Sequence, residues 1–253
     1  MLQDILLVLV GIVVGSMNAI AGGGTLIGFP MLLAVGLPAL AANITSNIVV
    51  LPGSLSSAFG YRSYIRKVPI RYALLMIPCI IGATIGALLL RNTPSARFGQ
   101  LIPFLVLFSV ILFAFQPLIH FHLHRHIHGK SKGYLPLLFI GIALLPVAVY
   151  GGYFGAGFGF IMLAFLGFTS LHDIHQMNGL KNIAGACMSL TSIIVLFSTH
   201  LINWRYGLLM GFGAMIGGFF GSKFSQRIST HAVRIIVIVI GVVTATYLSL
   251  RSY

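Results

Sequence analysis

The chain has 253 residues, of which 58% are hydrophobic and only 7% are charged, with a net charge of +13 from 15 Lys and Arg against two carboxylates. A soluble domain carries about a quarter charged residues, so too few polar groups are present to cover a surface that faces water. The composition excludes a water-soluble globular protein and indicates a polytopic membrane protein.

Ten apolar runs follow one another along the chain, eight long and two short. The long runs, at about 20 residues each, are sufficient to cross a bilayer as helices. They lie near residues 4–21, 39–61, 70–90, 98–118, 134–154, 172–199, 205–222 and 232–250. The short runs, 24–37 and 158–169, reach only about 18–21 Å as helices. We therefore predict an all-α polytopic membrane protein with about eight full transmembrane helices and two short broken or re-entrant segments.

The polar residues inside these apolar runs occur twice, 135 positions apart. The matching segments are 21–24 with 156–159, the amide pair of 43–47 with that of 178–182, and 54–57 with 189–192. The duplication predicts a first transmembrane repeat at 1–118, a His-rich basic cytoplasmic linker at 119–133 and a second repeat at 134–253. Short segments at corresponding places in two halves are typical of transporters that have inverted repeats and broken helices at a central site.

Small residues recur at the same spacing in both halves. Gly82-x-x-x-Gly86 in the first half corresponds to Gly217-x-x-x-Gly221 in the second. Because such faces let helix backbones approach closely within lipid, we interpret them as packing surfaces rather than as part of a site.

The basic residues indicate the orientation of the chain rather than binding to nucleic acid. Ten of the 15 Lys and Arg lie in three polar segments, 62–71, 125–132 and 223–234. Placing these segments on the cytoplasmic side of the inner membrane satisfies the positive-inside rule. The two halves then have inverted topology, and both termini face outward.

The repeated polar residues are the candidate solute site. Each glycine cluster exposes N–H groups at the start of a short helix, which attract anions together with the helix dipole. The amides and hydroxyls of the following helix share one face and donate hydrogen bonds. The candidate substrate-binding residues are Gly22, Gly23, Gly24, Thr25, Asn43, Thr45, Asn47, Ser54, Gly157, Gly159, Asn178, Lys181, Asn182 and Ser189. The alternative is tight helix packing with hydrogen bonds between helices.

Lys181 breaks the symmetry of the two halves, because it stands where Ser46 stands in the first repeat. An ammonium group inside a membrane segment is costly and indicates function. We expect Lys181 to neutralise an anionic solute. The alternatives are extension of its side chain to an interface and pairing with Asp173, which lies two turns away.

Histidines occur in two further groups. His172, Asp173 and His175 are candidates for proton coupling, the alternative being an interfacial loop or a helix cap by Asp173. The alternating histidines of 120–128 look like a metal-binding tract. Because no carboxylate or thiolate accompanies them, we interpret them as a flexible basic loop at the membrane surface and predict no metal site.

Residues 21–30, 36–38, 42–47 and 52–56 resemble the first repeat of the sulfite exporter TauE/SafE family, and 151–157 with 178–182 resemble its second. The resemblance implies a secondary transporter of the inner membrane for sulfite, sulfonates or related organosulfur anions, with export as the expected direction. Phe158 and Phe160 interrupt the second glycine cluster, so we expect a pseudo-symmetric site that takes its positive charge from the second repeat.

No motif for nucleophilic catalysis or nucleotide binding occurs in the sequence, so we expect neither an enzyme nor a cofactor. The expected partners are a small anionic substrate and the lipid bilayer, but no nucleic acid, and both a monomer and a homodimer are compatible with the sequence. Two other functions stay open at this point. They are a metal or cation permease that uses the His-rich loop, and a membrane scaffold without transport activity.

Overall fold

A computed structural model describes residues 2–128, 136–171, 173–225, 239, 243, 244 and 246, with the backbone alone for 112–128. Every regular element in these ranges is helical. The helices are α1 Leu2–Ile20, α2 Thr25–Ala34, α3 Ala39–Gly60, α4 Arg62–Ile65, α5 Met76–Arg91, α6 Ser95–His128, α7 Leu137–Tyr153, α8 Phe158–Gly167, α9 Ile174–Leu196 and α10 Trp204–Phe224. Short 3₁₀ turns precede α5 at Ile70–Leu75 and follow α9 at Phe197–Thr199.

The helices confirm the predicted all-α membrane architecture. Among the described residues, five helices are long and apolar enough to cross a membrane: Leu2–Ile20, Ala39–Gly60, Ile70–Arg91, Ile174–Thr199 and Trp204–Phe224. Four shorter apolar helical segments accompany them, including α2 and α8 at the two predicted short segments. The last predicted span, 232–250, falls almost wholly outside the described residues, so the count of eight spans stays a prediction.

The segment before the second half is more helical than we predicted. The backbone of 119–128 continues α6 to His128 instead of forming a loop. No glycine or proline occurs between Pro117 and Gly129, so nothing in the sequence stops the helix earlier. The histidine side chains of this segment and all of 129–135 lie outside the described part of the chain.

Each short helix folds back along the helix before it. A Cβ atom placed on Gly24 would lie 2.4 Å from the carbonyl oxygen of Val14, and one on Gly28 would lie 3.4 Å from a Val14 methyl carbon. The chain reverses at Gly22, whose φ is +87°, and at the corresponding Gly157 of the second half, whose φ is +86°. Only glycine adopts this conformation without strain. The pairs α1–α2 and α7–α8 are therefore helical hairpins with glycine tips.

The two halves exchange helices in their packing. Helix α1 packs along α10 of the other half, and α7 packs in the same way along α5. Both contacts are close: a Cβ on Gly86 would lie 2.1 Å from the Val149 carbonyl oxygen, and one on Gly217 would lie 1.9 Å from that of Ile12. The packing interpretation of the two glycine pairs is thereby confirmed. The long helices α3 and α9 contact each other between the α1–α10 and α5–α7 pairs.

Candidate functional site

A small, partly open cavity lies where the tips of the two hairpins meet, and residues of α3 and α9 line it. Its volume is about 50 Å³. Since one water needs about 10–15 Å³ by this measure, the space suits a few waters or a small oxyanion. Eight of the predicted site residues line it: Gly22, Thr25, Asn47, Ser54, Gly159, Lys181, Asn182 and Ser189.

The hairpin tips touch each other at their glycines. A Cβ on Gly22 would lie 2.7 Å from the Cα of Gly159, and a Cβ on Gly159 would lie 2.7 Å from the Cα of Gly22. Helix α2 begins at Thr25 and α8 begins at Phe158, and both of these residues line the cavity. The first turn of a helix has N–H groups without acceptors in that helix and carries the positive end of its dipole. The N–H groups of Leu26, Ile27 and Phe160 are already bonded to carbonyls of the preceding glycines, so the exposed donors expected from the sequence are largely used. The positive ends of the two helix dipoles still favour an anion at this cavity.

The polar faces of α3 and α9 both line the cavity. Three pairs of corresponding residues line it together: Ser46 with Lys181, Asn47 with Asn182, and Ser54 with Ser189. Asn182 is 1% exposed, and its Nδ2 donates to the Ala19 carbonyl at 3.4 Å. Its Oδ1 has no hydrogen-bond partner within the described ranges. The structure thus brings these three pairs together around one cavity, and their binding of a solute stays a prediction.

Lys181 neither extends to a membrane interface nor pairs with Asp173, the two alternatives left open by the sequence. Its side chain is 3% exposed and points into the protein, so it does not extend to an interface. Its Nζ donates to the carbonyl of Asn18 at 2.8 Å, to that of Ala19 at 3.2 Å and to Asn178 Oδ1 at 2.9 Å. The ammonium group thus sits on the carbonyl end of α1, where the helix dipole favours a cation.

Six predicted site residues are placed outside the cavity lining: Gly23, Gly24, Asn43, Thr45, Gly157 and Asn178. Asn43 instead donates to the Tyr153 carbonyl at 2.9 Å. Asn178 accepts from Lys181, and Gly157 makes the turn before α8. Asn43 and Thr45 thus bond to the ends of other helices and support the walls of the cavity rather than line its open space.

Thr45 illustrates this supporting role and allows a test of it. Its Oγ1 accepts a hydrogen bond from the Asn203 N–H at 3.0 Å, at the start of α10. We predict that Thr45→Val destabilises the protein by about 1–3 kcal/mol, because it leaves a partly buried N–H without an acceptor. Thermal unfolding in detergent measures the loss. The apparent KM of the transported solute should stay at the wild-type value, and a large rise in KM would place Thr45 in the site after all.

Several lining residues were missed by the sequence analysis. Asn18 Nδ2 donates to Ser54 Oγ at 3.0 Å and lies in the wall next to the α1–α2 tip. The available signal was an amide inside an apolar helix, which by itself indicates function in a membrane. The repeat did not reveal Asn18, because the corresponding residue of the second half is Tyr153. The second half adds an apolar wall of Gly151, Phe154, Gly155, Phe158, Gly185 and Met188.

Two of the three candidates for proton coupling, Asp173 and His175, do not line the cavity. Asp173 Oδ1 accepts from the His175 N–H at 2.8 Å and caps the start of α9, which confirms the helix-cap alternative for Asp173. The His175 ring packs against Tyr64, with ring centroids 4.8 Å apart. His172 lies outside the described residues. A role in proton coupling stays a prediction for all three.

Known proteins resemble this chain over nearly its whole length. Residues 7–248 match the protein-family model described as "Sulfite exporter TauE/SafE". A "Probable membrane transporter protein" of Haemophilus influenzae is 30% identical, covering 93% of this chain and 91% of the relative. "Probable membrane transporter protein ORF9" of a Sinorhizobium species is 27% identical, with coverages of 92% and 87%. "Probable membrane transporter protein YfcA" of Escherichia coli K12 is 24% identical, with coverages of 96% and 88%. No solved structure matches.

Proposed function

Because the chain belongs to the sulfite exporter TauE/SafE family, we propose that it is a secondary transporter that exports a small sulfur-containing anion, such as sulfite or a sulfonate, across the inner membrane. The family and the names of the relatives identify a multi-pass membrane transporter rather than an enzyme. One observation supports the choice of an anion above all. The starts of the two short helices, α2 and α8, meet at a small cavity between the halves, which has amide and hydroxyl groups in its wall.

The two halves would lie in the membrane with inverted topology. Supporting this, α1 and α10 begin at the same end of the protein, where Arg205 pairs with Asp4 at 3.0 Å. Helix α7 begins at the opposite end, since Gly141 near its start lies beside Pro78 near the start of α5. That second end carries the basic segment 62–71, and it also carries Lys223, because Gly60 at the end of α3 abuts Ser222. By the positive-inside rule this end is the cytoplasmic one.

Alternating access would use bodies that mix the two halves. Helices α1, α3 and α10 pack together, and so do α5, α7 and α9. The cavity lies at the contact between these bodies, where α3 faces α9 and the hairpin tips touch. Rocking one body against the other around this point would open the cavity to each side in turn.

Transport by purified protein in liposomes tests the proposal. We expect saturable uptake of at least one of sulfite, sulfoacetate and thiosulfate, above the rate in protein-free liposomes of the same lipid. Asn182→Ala removes a polar wall of the cavity and should lower the affinity for the anion by about tenfold, corresponding to the loss of roughly one buried hydrogen bond. The absence of saturable flux for all three anions would contradict the proposed function.

A further inference from the structure

Lys181 uses all its hydrogen-bonding capacity on the protein itself. An ammonium group has three N–H donors. In this structure they go to the carbonyls of Asn18 and Ala19 and to Asn178 Oδ1, at 2.8–3.2 Å. No donor of Lys181 is left to point at a solute in this arrangement, although the residue lines the cavity.

The other half makes the corresponding connection without a lysine. Asn43 corresponds to Asn178, and Tyr153 corresponds to Asn18, each 135 positions apart. Asn43 Nδ2 donates directly to the Tyr153 carbonyl at 2.9 Å. Ser46, at the position of Lys181, donates instead to the Asn43 carbonyl of its own helix at 2.6 Å. Each amide helix therefore holds the carbonyl end of the other half's first hairpin helix.

We propose that Lys181 is a positioning residue, which ties the end of α1 to α9 and thereby sets the place of the α1–α2 tip. The proposal rests on the proposed function and assigns Lys181 a role different from direct binding of the anion. Asn18 and Ala19 lie only a few residues before Gly22, which touches Gly159. Holding these two carbonyls therefore holds the start of α2 against the start of α8. The Asn43–Tyr153 bond does the same for the α7–α8 tip.

The first half suggests a variant for the test. There a serine occupies the position of Lys181, and the neighbouring amide, Asn43, bonds directly to the carbonyl end of α7. Lys181→Ser copies the arrangement of Ser46, and we expect Asn178 then to turn its Nδ2 toward the Asn18 carbonyl, as Asn43 donates to the Tyr153 carbonyl. Lys181→Met is similar to lysine in length, lacks donors and fills the same space. A positioning role requires the serine variant to transport at least about tenfold faster than the methionine variant, since the latter leaves buried carbonyls unpaired.

Rates, KM and thermal unfolding of both variants decide between positioning and direct binding. We expect the serine variant to have a KM within about threefold of wild type and a higher Tm than the methionine variant. The reason is that only the serine variant can re-form a hydrogen bond between α9 and the carbonyl end of α1. Adding Asn178→Leu to the serine variant should remove its advantage. A rise in KM of about tenfold or more in both variants, with the maximal rate retained, would identify Lys181 as a direct ligand and overturn the proposal. Wild-type rates in both variants would also overturn it.

Asn43→Leu provides a test that leaves the cavity charge in place. It breaks the corresponding tie in the other half, and Asn43 does not line the cavity. We expect a lower maximal rate, a lower Tm and a KM close to wild type, whereas an unchanged maximal rate would overturn the proposal. Comparing the Tm values of these variants tests the hydrogen bonds to the ends of α1 and α7 without any substrate. If the wild-type protein carried no anion, the proposed function would fail, while equal Tm values for the serine and methionine variants would refute the tie itself.

Discussion

Gly22→Ala lowers anion flux by at least about tenfold, because it pushes the two hairpin tips apart. The new Cβ would lie 2.7 Å from the Cα of Gly159, and neither backbone has a flexible group that moves out of the way. Overpacking of this kind costs about 1–3 kcal/mol, and 1.4 kcal/mol changes the population of the closed-tip arrangement tenfold. The measurement is initial uptake into liposomes, with protein yield and Tm in parallel.

Two other glycines separate the causes of this loss. Gly36 has a φ of +92°, close to the +87° of Gly22, but a Cβ placed on it would meet no atom within 4 Å. Gly36→Ala therefore reports the backbone strain alone, about 1–2 kcal/mol. Gly159→Ala reports the tip contact without a positive φ, because its Cβ also lies 2.7 Å from the backbone of Gly22. We expect flux to be lost in the Gly22 and Gly159 variants and kept in the Gly36 variant. Wild-type flux in all three variants would show that the tips do not need to touch.

Gly86→Ala prevents accumulation of the folded protein, with a destabilisation of about 3 kcal/mol or more. Its Cβ would lie 2.1 Å from the Val149 carbonyl oxygen and 2.7 Å from the Tyr153 nitrogen, both of them backbone atoms of α7. The helices α5 and α7 would have to separate along their whole contact. Because helix association in lipid depends on close packing rather than on the hydrophobic effect, little else compensates for the lost contacts. Yield and thermal unfolding in detergent measure the effect.

Gly141 is the matched control for this helix pair. It lies on α7 and faces α5, but a Cβ placed on it would be 3.7 Å from Pro78 and 4.0 Å from Leu75, an ordinary contact. Gly141→Ala should leave the Tm at or above the wild-type value, since alanine favours the helix by about 1 kcal/mol over glycine. Gly15→Ala, at the corresponding α1–α10 contact, should behave like Gly86→Ala, with its Cβ 2.0 Å from the Ala214 carbonyl oxygen. Stable Gly86 and Gly15 variants would contradict the packing described above.

Much of the fold was predictable because it depends on local patterns. Apolar length decides which segments cross a membrane, and glycine clusters decide where a helix breaks. The 135-residue repeat correctly identified Gly22 and Gly157 as equivalent, and the structure gives them nearly the same φ of +87° and +86°. The same repeat identified two of the residue pairs that line the cavity together, Asn47 with Asn182 and Ser54 with Ser189.

The partner of each polar side chain could not be read from its spacing. Asn43 and Asn47 lie one turn apart on the same face of α3, and the sequence therefore assigned them the same role. In the structure, Asn47 lines the cavity, while Asn43 bonds to the end of α7. A helical turn displaces a side chain by about 5.4 Å along the axis, which is enough to move it from an open space to another helix. Only the packing of α7 against this part of the protein decides which of the two amides lines the cavity.

The sequence by itself determined that this protein is an all-helical membrane protein with two related halves, since composition, length and repetition need no knowledge of distant contacts. The tertiary structure alone decided that the two glycine tips touch, that helices are exchanged between the halves, and that the ammonium group of Lys181 holds the end of α1. These features depend on residues coming together from positions more than 60 apart in the chain. Spacing along one helix defines the face that a residue occupies, but the atoms opposite that face are supplied by the rest of the fold.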